Sequence, residues 1–334
     1  MVLTNGQEKG LKVAVERYRN HEPYTVIAGY AGTGKSTLVQ FIINALNISS
    51  GDVCYIAYNG RAALILQEKG CENAMTAHRL LYYSKEKPDG TFEHKPRKTL
   101  EYNYKLIVVD EVSMLPDEMW KLLLSHHVYV IALGDPFQLP PVDGESEILA
   151  HPHVFLDEIM RQAQDNEIIR FSMDIRARNP LTLHKGSEVS VVTSRQINDA
   201  YYAGADQIIA AKNVTRSDIN WHCRKIKYGP DIPSYPIENE KVICLKNYWN
   251  IMSVQGEPLI NGMIGNLNNI SYQDSILFND LFDKEMISDF YIEENNKFHG
   301  LFMDYKLFTD GKQTINSDNW QKYKGVPKPL LFDF

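Results

Sequence analysis

Lys35 and Ser36 stand near the end of the nine-residue run Gly29-Tyr-Ala-Gly-Thr-Gly-Lys-Ser-Thr37, which satisfies the phosphate-loop pattern G-x-x-x-x-G-K-[ST]. Glycines at 29, 32 and 34 let backbone N–H groups surround a β-phosphate at the positive end of the helix that follows. Ala31, Thr33 and Thr37 complete the cradle. Lys35 would reach the β- and γ-phosphates, and the Ser36 hydroxyl would ligate Mg²⁺. The motif requires a strand before it and a helix after it. Tyr24 to Ala28 reads as a short buried strand, and Leu38 to Leu46 has apolar residues at helical spacing. A nucleoside triphosphate is the ligand this arrangement implies.

Two further groups of residues could act on that ligand. Leu106-Ile-Val-Val-Asp110-Glu111 is an apolar strand ending in two carboxylates. Beside a phosphate loop, Asp110 can hold Mg²⁺ through its water shell, and Glu111 can orient and deprotonate water. Ile131-Ala-Leu-Gly-Asp135-Pro-Phe-Gln138-Leu-Pro-Pro141 is a third strand ending in polar groups. Gln138 could hydrogen-bond the γ-phosphate and sense its presence; a proline-rich turn closing the domain is the plainer reading.

These residues need a scaffold, and the patterning supplies one. Up to about residue 150, strands at 24–28, 53–57, 105–109 and 128–133 alternate with helical patterns, the rhythm of a parallel sheet covered on both faces. The charged stretch Ser84 to Lys98 has the turn dipeptide Asp89-Gly90 at its centre and reads as a protruding β-hairpin. The α/β rhythm resumes from 151 to about 225, with a helix from Asn166 to Arg178, a strand from Ala205 to Ala211 and a helix from Arg216 to Lys227. Arg170, Arg176 and Arg178 read as a solvated face of the first of these helices. From 229 to 325, Pro, Asn, Gly and Tyr become frequent among short alternating strands, the composition of a small all-β module.

The totals exclude other classes. The 334 residues are 44% hydrophobic and 23% charged, with 19 tyrosines, so the chain is globular. No apolar run approaches the roughly 18 residues that span a bilayer. Four widely separated cysteines make neither a disulfide framework nor a zinc site. His126-His127 and His151-Pro-His153 read as surface histidines. A net charge of −7 argues against a general polyanion binder but not against a local basic groove.

Gly134-Asp-Pro-Phe-Gln-Leu-Pro-Pro141 resembles motif III of superfamily 1 DNA helicases, in the RecD-like and Dda-like branch, superfamily 1B. Other segments agree in order. Leu3-Thr-Asn-Gly-Gln7 resembles the Q motif, whose glutamine reads adenine. Ala57-Tyr-Asn59-Gly60-Arg61-Ala-Ala63 resembles motif Ia, with Tyr58-Asn59 in place of the usual Pro-Thr, so Asn59 would contact a phosphate with altered geometry. Met75-Thr76-Ala-His78 resembles motif Ib, which grips single-stranded DNA; Thr76 and His78 could equally be a helix cap and a core residue. Leu156-Asp-Glu-Ile-Met-Arg161-Gln162 resembles motif IV, whose arginine reaches the γ-phosphate from a second domain, an effect worth about 10³–10⁵ in rate in other NTPases. Asn213 to Asn220 and Asn261 to Gly265 match later family segments.

The resemblance implies a phosphate-loop NTPase fold with tandem RecA-like parallel sheets. A first ATP-binding motor domain covers 1–150, and the 84–98 hairpin is its pin. A second motor domain starts over 151–228, an SH3-like insertion covers 229–325, and 326–334 forms a return strand. Phe92 would stack on the last base pair, unless the hairpin is merely a solvated charged one. The chain stops before the family's motifs V and VI, so the second motor domain looks truncated. The implied activity is ATP-dependent movement on single-stranded DNA, 5′ to 3′, with unwinding of forked DNA, using ATP and Mg²⁺. The implied location is the cytoplasm of a bacterium or a phage-infected host, and the implied partners are replication or recombination proteins. The alternatives are a non-unwinding DNA-binding subunit that needs a separate chain carrying motifs V and VI, and an ATPase acting on protein partners.

Overall fold

Strands that are apolar along their whole length imply a sheet buried on both faces, and the first part of the chain builds one. A computed structural model describes residues 3–86, 92–141, 146–158, 166–273, 285–293, 296–304 and 332–333. Contacts divide the chain into two units, residues 1–85 with 92–191, and residues 192–334 with 86–91.

The first unit runs α1 (Asn5–Arg19), β1 (Tyr24–Gly29), α2 (Lys35–Leu46), β2 (Val53–Ala57), α3 (Gly60–Glu68), β3 (Ala74–Thr76), α4 (Ala77–Leu81), β4 (Tyr82–Glu86), β5 (Phe92–Pro96), β6 (Leu106–Val109), α5 (Asp117–Leu124), β7 (Tyr129–Gly134), β8 (Val154–Leu156), α6 (Glu167–Arg176), β9 (His184–Lys185) and β10 (Ser190–Val191). Six strands form one sheet in the order β3-β2-β6-β7-β1-β8, every pair parallel. Side chains alternate across it. Val26, Ile107, Val109, Val130 and Ala132 face Leu80 and Leu81 of α4 and Met119, Trp120 and Leu123 of α5. Ile27, Leu106, Val108, Ile131 and Leu133 face Ala14 of α1 and Leu38, Val39 and Ile42 of α2.

The strands expected at 24–28, 53–57, 105–109 and 128–133 are all present, and the sheet is that of a phosphate-loop, RecA-like fold. β4 and β5 pair with each other as the expected hairpin; its tip, 87–91, lies outside the described residues. His153 is not the surface histidine expected. It is half-buried against the Tyr24 ring, and its Nδ1 accepts the Val26 N–H at 2.9 Å.

The second unit continues with α7 (Asp199–Gly204), α8 (Asn213–Tyr228), β11 (Glu240–Cys244), β12 (Tyr248–Met252), β13 (Pro258–Leu259), β14 (Ile264–Gln273), β15 (Glu285–Glu293), β16 (Asn296–Asp304) and β17 (Phe332–Asp333). Its sheet has the order β16-β15-β14-β11-β17, and every pair is antiparallel. The start of β11 is tied to α8 by an ion pair buried on both sides, in which Arg224 Nε and Nη2 donate to the two oxygens of Glu240.

Two expectations fail here. Residues 205–211 form no strand: Ile209 is 93% exposed, with no neighbouring strand to bury it. The C-terminal strand does not return to an α/β sheet; Phe332 and Asp333 pair with Cys244 and Ile243 on the open edge of β11. No second parallel sheet forms among the described residues.

All four cysteines are free thiols. Burial pushes Cys54 and Cys244 up to about 12 and also raises Cys71 and Cys223. Among the described residues no cluster of His, Cys, Asp and Glu could hold a metal ion by itself, and no helix is long and apolar enough to cross a membrane.

Candidate nucleotide and nucleic-acid sites

Parallel strands deliver their following loops to one edge of a sheet, and β6, β7 and β1 are consecutive neighbours. Val109 pairs with Ala132, and Ala28 with Gly134, so Asp110, Asp135 and the phosphate loop leave the sheet at nearly one level. Asp135 therefore emerges between the loop and the Asp110–Glu111 pair.

Each glycine of the loop has a separate steric reason. A Cβ on Gly29 would meet the Leu156 carbonyl oxygen at 2.7 Å. Gly32 and Gly34 have φ of 78° and 77°, in the left-handed region, and Gly34 caps α2. A Cβ on Gly34 would also strike the Gln7 amide. The first-turn N–H groups of α2 have no intrahelical acceptors and point to where phosphate oxygens would sit. Lys35 Nζ donates to the carbonyls of Gly29 at 2.8 Å and Tyr30 at 3.0 Å. Burial lowers its pKa, opposed by the charges of Asp135, Glu111 and Asp110.

Across the edge, burial raises the pKa of Asp110, whose Oδ1 accepts the Glu111 N–H at 3.1 Å. Glu111 has a left-handed backbone, φ 52°. Its carboxyl is also raised, by burial first and then by the Asp110 charge. Gln138 Nε2 donates to Glu111 Oε1 at 3.4 Å, and Glu111 Oε2 is buried without a partner. The structure thus brings together Gly29, Gly32, Gly34, Lys35, Ser36, Asp110, Glu111 and Gln138. Arg161 lies outside the described residues.

Gln7 ties the start of α1 to the phosphate loop. It is 3% exposed; its Oε1 accepts the Thr4 N–H at 3.0 Å, closing a capping box at the start of α1, and its Nε2 donates to the Thr33 carbonyl at 3.0 Å. It braces the phosphate loop at Thr33.

The candidate strand-gripping residues sit at helix starts. Asn59 Oδ1 caps α3 by accepting the Ala62 N–H at 2.8 Å, Gly60 is buried, and Arg61 is exposed. Thr76 Oγ1 caps α4 through the Arg79 N–H at 3.2 Å. His78 is half-buried in a ring cluster with Tyr58, Tyr82 and His94, at centroid distances of 5.7, 5.8 and 5.9 Å. Burial, then the nearby His94, lowers its pKa and favours the neutral ring. Phe92 lies in β5. The ring partners Tyr82 and His94 carry no motif, and only the pairing of β4 with β5 reveals them.

Sequence reasoning missed one arrangement at the nucleotide edge. Asp135 is fully buried, its Oδ1 accepting the Phe137 N–H at 3.0 Å and its Oδ2 accepting Arg176 Nη2 at 2.8 Å. Arg176 is thus no solvated helix-face residue: its guanidinium also lies 5.0 Å from the centre of the Tyr30 ring.

Residues 12–144 match the family model described as an AAA domain, AAA_19. The ATP-dependent RecD2 DNA helicase of Deinococcus radiodurans is 37% identical over 152 residues, which cover 43% of this chain and 20% of the relative. The ATP-dependent DNA helicase dda of Enterobacteria phage T4 is 30% identical over 187 residues, covering 52% and 42%. The phosphate-binding unit is thus similar to an AAA domain and, in sequence, to ATP-dependent DNA helicases. A Pif1 helicase structure from Candida albicans covers 91% of this chain and 79% of its own, at 17% identity and a TM-score of 0.42. The chain spans less than half the length of these two curated relatives.

Proposed function

We propose that this chain is an ATP-driven DNA motor, hydrolysing ATP to move 5′ to 3′ on single-stranded DNA and open forked duplex. The observation that carries the reading is the convergence of Lys35, Asp110, Glu111 and Gln138 on one sheet edge in front of a glycine-built phosphate cradle. The sequence likeness to ATP-dependent DNA helicases supplies the nucleic-acid part.

The donor set fits a magnesium–triphosphate. Cβ atoms at Gly29 and Gly34 would collide with Leu156 and Gln7, so the tight loop needs glycine there, and Glu111 Oε2 is buried without a protein partner. Ser36 and Asp110 would hold Mg²⁺, which when bound neutralises charge across the β- and γ-oxygens. Lys35 exchanges its two carbonyl partners for phosphate oxygens. Glu111 orients the attacking water and takes its proton, and Gln138 hydrogen-bonds the γ-phosphate and senses its presence. Arg161 reaches the γ-phosphate and stabilises charge on the transferring phosphoryl. Asn59, Gly60, Arg61, Thr76 and His78 grip the strand, and Phe92 on the hairpin meets the fork. Replication or recombination proteins are its natural partners.

The test is ATP turnover with and without single-stranded DNA, followed by unwinding of forks with a 5′ or a 3′ tail. The motor requires strong stimulation by DNA, loss of nucleotide binding in Lys35→Ala, and unwinding from the 5′ tail. Salt-sensitive DNA binding without turnover identifies instead a subunit that needs another chain to complete it. Turnover indifferent to DNA removes the motor reading.

A further inference from the structure

Asp135 fixes a turn with both its main chain and its side chain. Its carbonyl oxygen accepts the Gln138 N–H at 3.0 Å, and its Oδ1 accepts the Phe137 N–H. The remaining oxygen belongs to Arg176. A fully buried carboxylate needs such a partner, because desolvation without compensation is expensive. Arg176 is itself only 18% exposed, the last residue of α6, with Nη1 3.7 Å from Met173 Sδ. Its guanidinium lies over Tyr30, whose ring packs against Phe137 and Phe155 at centroid distances of 5.9 and 5.4 Å. Tyr30 follows Gly29 in the phosphate loop and gives its carbonyl to Lys35. One side chain therefore touches both walls of the place where a terminal phosphate would lie, the loop through Tyr30 and the Gln138 turn through Asp135.

We infer that Arg176 is a positioning residue that sets Gln138 against the terminal phosphate and so gives ATP its advantage over ADP. The inference rests on the nucleotide reading above. It assigns Arg176 no contact with phosphate: the guanidinium acts through Asp135 and the turn. ADP, lacking the group that Gln138 meets, would be indifferent to it. ATP would lose roughly one charge-assisted hydrogen bond's worth of affinity, about tenfold, when the turn slackens.

The experiment measures mant-ATP and mant-ADP binding, with Mg²⁺, to the full chain and to its R176M, R176K, Q138A and R176M/Q138A variants, with Lys35→Ala as the control for the site. Thermal unfolding accompanies each. The expected result is about a tenfold fall in the ATP/ADP affinity ratio for R176M with ADP affinity held within twofold. R176K restores most of the ratio, since one Nη2–Oδ2 contact needs one donor. The double variant is no worse than Q138A alone, because both changes act on the same contact. Equal weakening of ATP and ADP in R176M shows a merely structural role and overturns the inference, as does a parental ratio in R176M or additive losses in the double variant. A parent that binds neither nucleotide, or binds both equally in the presence and absence of Lys35, overturns the site reading itself and the inference with it.

Discussion

Glu111 holds an uncomfortable position. Its backbone is left-handed, its half-buried carboxyl lies near a second carboxylate, and one of its oxygens is buried with no partner. Strained and under-satisfied groups persist where the surrounding fold over-determines them, and they concentrate at working sites. The prediction at this scale separates binding from chemistry. Glu111→Gln keeps the shape and the hydrogen bond from Gln138 but cannot accept a proton. Turnover of ATP should fall about 10²–10⁴-fold, the range for loss of a general base, while mant-ATP affinity stays near the parent's. Parental turnover in this variant would assign the base elsewhere.

The element that joins the site to its surroundings is α6, held at both ends. Arg176 anchors its last turn. At its first turn, Glu167 accepts from His184 Nε2 at 2.9 Å, Ser187 Oγ at 3.1 Å and the Glu188 N–H at 2.7 Å, which fixes the ribbon of β9 and β10. The hydrogen bonds of His184 and then Glu188 pull the Glu167 pKa down to about 2. A carboxyl depressed on folding stabilises the folded ribbon at every pH above its ordinary value and loses that contribution as pH falls toward about 2. The ribbon should therefore open on acidification before the parallel sheet does. Hydrogen exchange at the Glu188 and Val189 amides reads this, and Glu167→Gln should show the same exposure already at neutral pH. Amides that stay protected at pH 3 in the parent and at neutral pH in the variant would deny Glu167 this role.

For the molecule as a whole, the hairpin of β4 and β5 is the part with a mechanical task in the proposed motor. Phe92→Ala should lower the unwinding rate several-fold while DNA-stimulated ATP turnover stays nearly intact; unchanged unwinding ends the idea of a pin. What could be read from the residues follows from range. The phosphate loop, the carboxylates after β6 and Gln138 after β7 are local signals carried by apolar runs that only a doubly covered sheet explains. The pairing of Arg176 with Asp135 joins residues far apart in the chain, and no local pattern distinguishes that arginine from its neighbours Arg170 and Arg178. The missing strand at 205–211 and the pairing of Phe332 with Cys244 depend on which edges are open, a property of the finished sheet. The thiols have a practical consequence. All four native cysteines stay protonated at neutral pH, so a single cysteine added at an exposed position would outcompete them for a maleimide dye. Distance changes during nucleotide turnover could then be followed by fluorescence in the otherwise unaltered protein.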